Sequence, residues 1–528
     1  MKNKKGMAPF GVLCACSLAT TGVLASDAGK VLDEVSVTAT RETRSTGDVP
    51  QAIAVVGKET LADKKMFNVK EALQEVPGVL IDSKNGGFDA RLIIRGAGLK
   101  AAYGIREIQV LRDGVPLSDP DSFTRLDFVD TQDIERIEIA KGPGNLFAAG
   151  SAGGAIQIIS KSVFDTQANN LKIGAGNLGT QNYHLRVGGM IDDRQALALT
   201  VTRREMDNDW RTWNRFETTQ ASLKHGIQLG DGDILESEVS YAESDMQLPG
   251  AVDEAMFQTF KQTGKQTGTS EAWKHSGRYS KVWFLNSRLE NHRGDLTFKP
   301  RLYYNTWYHY HPVTGIINET ESWVSNLGMD LEGNYRHAQG TLVAGITARQ
   351  ERAPDSRKYE YRDVTTGGGG RIVATRSDAK GRLAEIDDNN QQFRKYDYAS
   401  GKYVAGAGTT QISKTFYLPA PKIAASYRLL PGLNVYAMAA QAGQIPSFSE
   451  VSTNPALEAP IARNYEIGLK ARAADWSFDT SVYVNPVSKD IVQQSNGGVT
   501  TYLNAGKTDK KGFEFAGRYA LDKHWELG

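Results

Sequence analysis

The chain has 528 residues, a formal net charge of +1, 53 glycines and a mean hydropathy of −0.42. The near-neutral charge argues against nucleic acid as the main partner, and the length exceeds what one soluble core usually supports, so at least two domains are expected. A polar chain rich in glycine and tyrosine fits a soluble β-protein or a β-barrel with a wet lumen.

Residues 1–25 have the layout of a secretory signal peptide. Three lysines precede a small, apolar stretch at 7–24, and the small residues before Ser26 suit signal peptidase. Cys14 and Cys16 both lie in this leader, so the mature chain carries no thiol. A lipobox at Cys16 is the weaker alternative, because the apolar run before it is short. Past the leader there is no apolar run of about 18 residues, which excludes a helical membrane span.

A lone strand is predicted directly after the leader, within the segment 26–44. Apolar and polar residues alternate there with the period of a half-buried strand, but no turn and return strand follow nearby. Its partner is therefore not evident from the local sequence. The strand consists of Asp33, Glu34, Val35, Ser36, Val37, Thr38 and Ala39.

The next region, 45–161, has a mixed and compact pattern. A short helix is predicted at 69–76, closed by Pro77 and Gly78. Short strands are predicted at 91–95, 108–111, 134–140 and 155–160. These elements predict a small α+β domain. Its glycine-rich segment at 142–154 lacks the Lys-Ser/Thr and the helix of a phosphate-binding loop, so no nucleotide site is predicted there.

From about residue 169 the chain becomes a long series of two-faced strands. Apolar residues alternate with polar ones at 296–305, 342–348, 465–471 and 476–485, over lengths that suit tilted strands crossing a bilayer. The connections alternate strictly between short and long. The short ones are at 192–193, 230–232, 291–294, 337–340, 430–432, 473–475 and 522–523. The long ones are at 205–216, 247–278, 311–321, 351–411, 442–459 and 486–499.

This alternation indicates an outer-membrane barrel, which has short periplasmic turns and long extracellular loops. We count about fourteen strands and the start of another at His524. The chain stops at Gly528 in mid-strand, where an even-stranded barrel cannot close without unpaired backbone in lipid, so the barrel is expected to be incomplete at the C-terminus.

Some side chains of the predicted barrel invite a functional interpretation. The inward charges Lys299, Arg301, Glu466 and Lys470 are interpreted as lumen residues that bond the N-terminal domain, with ligand contact as the alternative. The aromatic residues near the extracellular ends are interpreted as girdle residues, with ligand platforms as the alternative: Trp210, Trp213, Trp307, Tyr308 and Tyr310. His309 and His311 have no third ligand nearby, so no metal site is predicted.

Several segments in order resemble the TonB-dependent outer-membrane receptors. DEVSVTA (33–39) resembles the TonB box, and IIRGAG (93–98), VLRDGVPL (110–117) and the run IERIEIAKGPGNLFAAGSAGGAIQIISK (134–161) resemble plug motifs. In the barrel, 454–471 and 502–519 resemble strands of the family's C-terminal half. The resemblance spans nearly the whole mature chain.

The resemblance implies an all-β antiparallel transmembrane barrel (165–528) with an N-terminal α+β plug domain (45–161) in its lumen. A complete barrel would have 22 strands, as plugged outer-membrane transporters do. It also implies a monomer in the outer-membrane lipid of a Gram-negative bacterium, with no cofactor. Residues 33–39 would add a strand to TonB, which connects the receptor to the energising complex of the inner membrane.

The function implied by the resemblance is energised uptake of a scarce, bulky nutrient. A ferric siderophore is favoured, with cobalamin, haem, another metal complex or a glycan as alternatives. Ligand contacts are expected where the plug apices meet the extracellular loops, at Phe88, Tyr103, Arg106, Phe123 and Arg125. A passive porin is the remote alternative, against which the plug and the box argue. No catalytic residue is predicted, because no nucleophile and base have a supporting spacing.

Overall fold

The computed structural model describes most of the chain. The described residues are 35–36, 44–84, 89–101, 104–118, 124–144, 151–230, 232–266, 276–313, 318–337, 340–359, 364–366, 372–375, 394–397, 402–405, 414–496, 499–522 and 524–528.

The N-terminal region begins with a small hairpin and continues as the plug domain. Its elements are β1 (Val35–Ser36), β2 (Arg44–Ser45), β3 (Ile53–Val56), α1 (Lys58–Ala62), α2 (Lys70–Leu73), β4 (Val79–Lys84), β5 (Asp89–Ile94), β6 (Ile108–Arg112), β7 (Val115–Pro116), β8 (Ile134–Lys141) and β9 (Gly154–Ser160). The main sheet has the order β3-β8-β9-β6-β7, with β6 and β9 parallel, and β4 and β5 form a separate hairpin. Leu73, Leu92 and Ile137 are fully buried in the core.

The predicted elements of the plug domain are present within two or three residues. The helix predicted at 69–76 is shorter, because after Gln74 its backbone bonds change to the tighter i→i−3 type, as in Val76 N–H to Leu73 C=O at 3.1 Å. Pro77 disfavours helical geometry at the residue before it. The turn between β6 and β7 has positive φ at both Asp113 (49°) and Gly114 (81°), as a two-residue hairpin of this kind requires.

The barrel strands follow in chain order. They are β10 (Asn170–Ala175), β11 (Gln181–Met190), β12 (Gln195–Met206), β13 (Phe216–Gly230), β14 (Asp233–Gln247), β15 (Gly277–Arg293), β16 (Leu296–Phe298), β17 (Arg301–Val313), β18 (Asn318–His337) and β19 (Gly340–Tyr359). The second group is β24 (Lys422–Leu430), β25 (Leu433–Gly443), β26 (Ile461–Arg472), β27 (Trp476–Asn496), β28 (Val499–Ala520) and β29 (Glu526–Leu527). Neighbours in the chain pair antiparallel within each group.

Between these groups lie short hairpin strands, and two helices lie in the longer connections. The hairpin strands are β20 (Val364–Thr366), β21 (Ile372–Thr375), β22 (Arg394–Asp397) and β23 (Lys402–Ala405); the helices are α3 (Glu254–Thr263) and α4 (Phe448–Thr453). Both β16 and β17 pair with β15 and β18, so they form one crossing interrupted at Lys299 and Pro300. The described residues thus contain fifteen barrel strands, which matches the predicted fourteen and the start of another.

The strands have one face toward lipid and one toward the lumen. On β12, Leu199 and Val201 are 46% and 39% exposed, whereas the intervening Thr200 and Thr202 are buried. Polar residues are buried on the inner face because the plug domain packs against them. This arrangement confirms the alternation predicted from the sequence.

Tight turns and long connections alternate as predicted, with two errors. The segments 311–321 and 486–499 were expected to be long loops, but β17 continues to Val313 before β18 begins at Asn318, and β27 continues to Asn496 before β28 begins at Val499. The backbone ladder persists where the apolar alternation has ended, because strands can extend beyond the lipid band into water. Hydrophobic alternation therefore marks the part of a strand that lies in lipid and underestimates the strand's length.

None of the helices in the described part of the chain is long and apolar enough to cross a membrane.

Candidate functional site

The predicted TonB box is described only in part. Val35 and Ser36 form β1, whose backbone pairs antiparallel with β2 at Ser45 and Arg44. Asp33, Glu34, Val37, Thr38 and Ala39 lie outside the described residues. The described part of the box is therefore a strand, and its backbone is paired within the chain.

Two of the five predicted ligand contacts are described, and three are not. Phe88, Tyr103 and Phe123 lie outside the described residues. Arg106 and Arg125 both belong to the plug domain and reach toward the end of the barrel that carries the long connections. The two arginines contact different elements of the barrel.

Arg106 binds α4, in the connection between β25 and β26. Its Nη1 and Nη2 donate to the two carboxylate oxygens of Glu450 at 3.0 and 2.7 Å, which is a bidentate pair. Glu450 also completes a capping box: its Oε2 accepts from the N–H of Ser447 at 2.7 Å, and the Ser447 side chain accepts from the N–H of Glu450. The same carboxylate thus caps the helix and holds the plug domain.

Arg125 lies beside His309 on the inner face of β17. Its Nη1 is 2.7 Å from His309 Nδ1, and the Ser280 hydroxyl is 3.0 Å from the same nitrogen. These residues line a small cavity of about 30 Å³ together with Phe128 and Trp307. Because Trp307 is buried and faces this cavity, its interpretation as a girdle residue is wrong.

Two other predicted girdle residues belong to the long connections instead. Trp210 packs against Phe260 of α3, with ring centroids 5.0 Å apart, and the Trp213 indole N–H donates to Ser276 C=O. The alternation of inward and outward positions along a strand could not predict these contacts, because Trp210 and Trp213 both lie beyond the ends of β12 and β13. Among the described residues, no group of three or more His, Cys, Asp or Glu side chains is placed to hold a metal ion.

A buried ionic cluster fastens the plug domain to β26–β28, and we call it the Arg95 cluster. Arg95, from the IIRGAG motif, lies 2.5 Å from Glu466 and 2.7 Å from Glu514, and the Arg95 and Glu466 side chains are 1% and 0% exposed. The guanidinium also stacks over the Tyr483 ring at 4.1 Å. Burial would lower the pKa of Arg95, but the two carboxylates outweigh it and raise that pKa above its ordinary value.

Glu466 is the centre of this cluster. It accepts from the backbone N–H of Ala52 at 3.0 Å and from the Tyr436 hydroxyl at 2.6 Å. Nearby, Lys470 Nζ donates to Thr46 C=O at 2.8 Å. The sequence interpretation of Glu466 and Lys470 as lumen residues that bond the plug domain is confirmed. It missed Arg95, which binds Glu466, and Glu514, which is the second carboxylate bound to Arg95. The only available signal was a charge beside an otherwise apolar strand or at an inward position.

A second cluster fastens the other side of the plug domain to β13–β15. Arg112 Nη2 lies 2.6 Å from Glu238, and Lys224 Nζ lies 2.8 Å from Asp133. Asp113 accepts from the N–H and hydroxyl of Ser160 at 3.0 and 2.6 Å. Burial would raise the pKa of Asp113, but Arg112 and then Lys224 more than offset it and keep that pKa below its usual range.

The comparisons with known proteins cover the whole plug-and-barrel arrangement. Residues 45–155 match the family described as "TonB-dependent Receptor Plug Domain", and residues 162–528 match "TonB dependent receptor-like, beta-barrel". These two matches together extend over most of the chain.

Relatives and solved structures point the same way. The chain is 22% identical to the vitamin B12 transporter BtuB of Vibrio vulnificus, over 92% of this chain and 75% of that protein. It is 23% identical to the ferripyoverdine receptor of Pseudomonas aeruginosa, over 49% of this chain and 31% of that protein. The structure of the pyoverdine receptor FpvA from Pseudomonas aeruginosa PAO1 has a TM-score of 0.67 at 16% identity, covering 93% of this chain and 78% of that one. The ferric citrate transporter FecA gives 0.66 at 16% identity, with 90% and 75% covered.

Proposed function

Because this chain belongs to the TonB-dependent receptor family, we propose that it imports a ferric siderophore across the outer membrane of a Gram-negative bacterium. The family consists of outer-membrane receptors and transporters that bind ligands and interact with TonB. The observation that carries the proposal is the plug domain held inside the lumen by buried ion pairs such as Arg95 with Glu466. A lumen closed in this way requires work to open, which a passive pore does not.

We propose the division of the chain into a plug domain at 45–161 and a barrel from 165. Supporting it, the last plug strand ends at Ser160 and the first barrel strand begins at Asn170. In this arrangement residues 33–39 bind TonB by strand addition. For that to happen, β1 must exchange its backbone partner in β2 for the strand of TonB.

The ligand class is proposed from the charge at the outer end of the plug domain. Arg125 lines the small cavity near the long connections, whereas the charge of Arg106 is balanced by Glu450. A cation at the position of Arg125 favours an anionic iron chelate. Phe88, Tyr103 and Phe123 remain proposed contacts. The second candidate is cobalamin, which the 22% identical relative transports according to its name.

Uptake of labelled ligands by the full-length protein tests this proposal. Cells that express it should accumulate iron from ferric siderophores, in competition with unlabelled chelate, and accumulation should stop when TonB is deleted. Uptake of cobalamin but not iron would reassign the ligand. Uptake of either ligand without TonB would contradict the mechanism.

Val37→Pro tests the TonB box itself. Proline removes a backbone donor and resists strand addition, so energised uptake should be lost while ligand binding to whole cells is unchanged. Ala28→Pro, upstream of the box, is the control and should transport normally. Normal uptake by the Val37 variant would refute the assignment of residues 33–39.

A further inference from the structure

Three cavities follow one another along one side of the plug domain, against the inner face of β13–β18. The upper one, toward the long connections, is the cavity of about 30 Å³ beside Arg125. The middle one has about 40 Å³ and is lined by Arg112, Gln220, Ser222 and Asn305 among others. The lower one has about 30 Å³ and lies near the tight turns, since Glu236 and Arg288, which line it, are close to the β13–β14 and β15–β16 turns.

The cavities are separated by two narrow places. Leu117, Phe128 and Trp307 line both the upper and the middle cavity, so a short apolar neck joins them. Arg112 lines the middle cavity and Glu238 lines the lower one, and their side chains meet at 2.6 Å. Arg112 also lies over the Phe284 ring, 5.1 Å from its centroid. An ion pair therefore closes the passage between the middle and lower cavities.

The lining of this passage is more apolar than polar in the upper and middle cavities, but it contains buried polar atoms that have hydrogen-bonding capacity left over. Asn305 is 1% exposed, and both polar atoms of its side chain lack a protein partner among the described residues. In the same part of the chain, Trp307 Nε1, Gln220 Nε2 and Asn286 Oδ1 are buried without a partner. Buried polar atoms require partners, and each of these cavities is large enough for water to supply them. The plug domain is joined to the wall on both sides, by the Arg112–Glu238 and Lys224–Asp133 pairs here and by the Arg95 cluster on the opposite side.

We propose that the imported ligand crosses along this seam, defined as the three cavities between the plug domain and β13–β18, and that Arg112 and Glu238 form its gate. This inference rests on the proposed function. The cavities are separate in the resting protein, so the seam widens only when the plug domain shifts away from β13–β15 and the ion pair opens. The ligand then passes both the apolar neck and the unpartnered polar groups, which exchange water for ligand contacts.

Cysteine accessibility tests the gate without any ligand, because residues 26–528 contain no cysteine that would react in place of the introduced thiol. Ser222→Cys places a thiol in the middle cavity, and Ser481→Cys places one on the opposite wall; the parent serines are 9% and 4% exposed. Each cysteine variant is prepared with and without Glu238→Gln, as the full-length protein in outer membranes. A small anionic methanethiosulfonate reagent is then added from outside.

Opening the gate should raise the modification rate of the thiol at position 222 roughly tenfold or more, because a buried pair that loses one partner is strongly destabilised. The rate for the thiol at position 481 should not change. Glu238→Gln should also raise the passive conductance of the purified protein in planar bilayers, and modification of the Ser222→Cys variant, but not of the Ser481→Cys variant, should block the added conductance. Equal modification rates at position 222 with and without Glu238→Gln, or conductance insensitive to that modification, would overturn the proposal.

A second variant protects the test against misfolding. Arg112→Gln opens the same gate from the plug side and should give the same pattern; both variants are first checked for heat-modifiable migration of the folded barrel. Energised uptake is measured separately in the Ser222→Cys protein. If neither iron nor cobalamin is taken up, but Glu238→Gln still exposes the thiol at position 222, the proposed function is wrong and the proposed gate is supported. If uptake is normal and survives modification of that thiol, the seam is not the route.

Discussion

Removal of Glu466 should release one side of the plug domain. In Glu466→Ala, Arg95 loses the nearer of its two carboxylates, and Ala52 N–H and the Tyr436 hydroxyl lose their acceptor. Breaking one partner of a buried ion pair costs about 3–5 kcal/mol. At about 1.4 kcal/mol for each factor of ten, plug opening should become roughly 100- to 4,000-fold more frequent.

Hydrogen exchange of the backbone amides of β3 measures this opening, because β3 follows Ala52 directly and pairs with β8. Glu458→Ala is the matched control: Glu458 pairs with Lys489 at 2.7 Å, but the two side chains are 60% and 49% exposed. Exposed pairs contribute about 0–1 kcal/mol, so exchange in the control should rise at most about fivefold. Glu466→Gln, which keeps an acceptor, should fall between the two. If β3 exchanges no faster in Glu466→Ala than in Glu458→Ala, the Arg95 cluster does not hold the plug domain.

Three more outcomes are expected. Gly98→Ala should destabilise the plug domain by more than about 1 kcal/mol in urea titrations followed by plug proteolysis, because φ is +87° and a Cβ would lie 2.0 Å from Leu92 C=O. Gly57→Ala is the control: the space around Gly57 is open, so the cost should be smaller and limited to the preference for glycine over alanine at the N-cap of α1. Deletion of residues 45–161 should leave an inserted barrel that admits bulky hydrophilic antibiotics, and equal leakage through the intact protein would refute the plug assignment. The folded pKa of Asp113 lies below its unfolded value of about 3.9, so its ionisation stabilises the plug domain above that pH and the stabilisation is lost as pH falls through the folded pKa. In Asp113→Asn, proteolysis of the plug domain should therefore depend less steeply on pH in this acid range. An unchanged pH profile would show that Asp113 does not contribute to holding the plug domain.

The fold was largely predictable because its signals are local. On β12 and β26, apolar residues face lipid and the polar residues between them face the lumen. The residue type at each position therefore depends only on the immediate surroundings of that position. Turn positions followed from short polar connections. The error at 486–499 has the same origin, because the pattern reports lipid contact and β27 extends beyond it.

The site was much less predictable because its contacts join distant segments. Arg95 and Glu466 are 371 positions apart, and Arg106 and Glu450 are 344 apart. The alternation along β26 identified Glu466 as a lumen residue, but no local sequence pattern specifies which plug residue contacts it. Trp307 shows the same limit: its aromatic character suggested a girdle, and only the packing of the plug domain places it beside Phe128.

Because Glu450 binds both α4 and Arg106, the conformation of the connection between β25 and β26 depends on the position of the plug domain. One carboxylate oxygen, Oε2, accepts from both the Ser447 N–H and the Arg106 guanidinium. The helix α4 has only six residues, so its cap is a large share of what keeps it folded. When the plug domain withdraws Arg106, the Glu450 side chain loses one of the two groups that fix its rotamer and keeps the bond from Ser447 N–H. In the proposed mechanism, a pull on the plug domain would therefore weaken the first turn of α4, in the connection between β25 and β26.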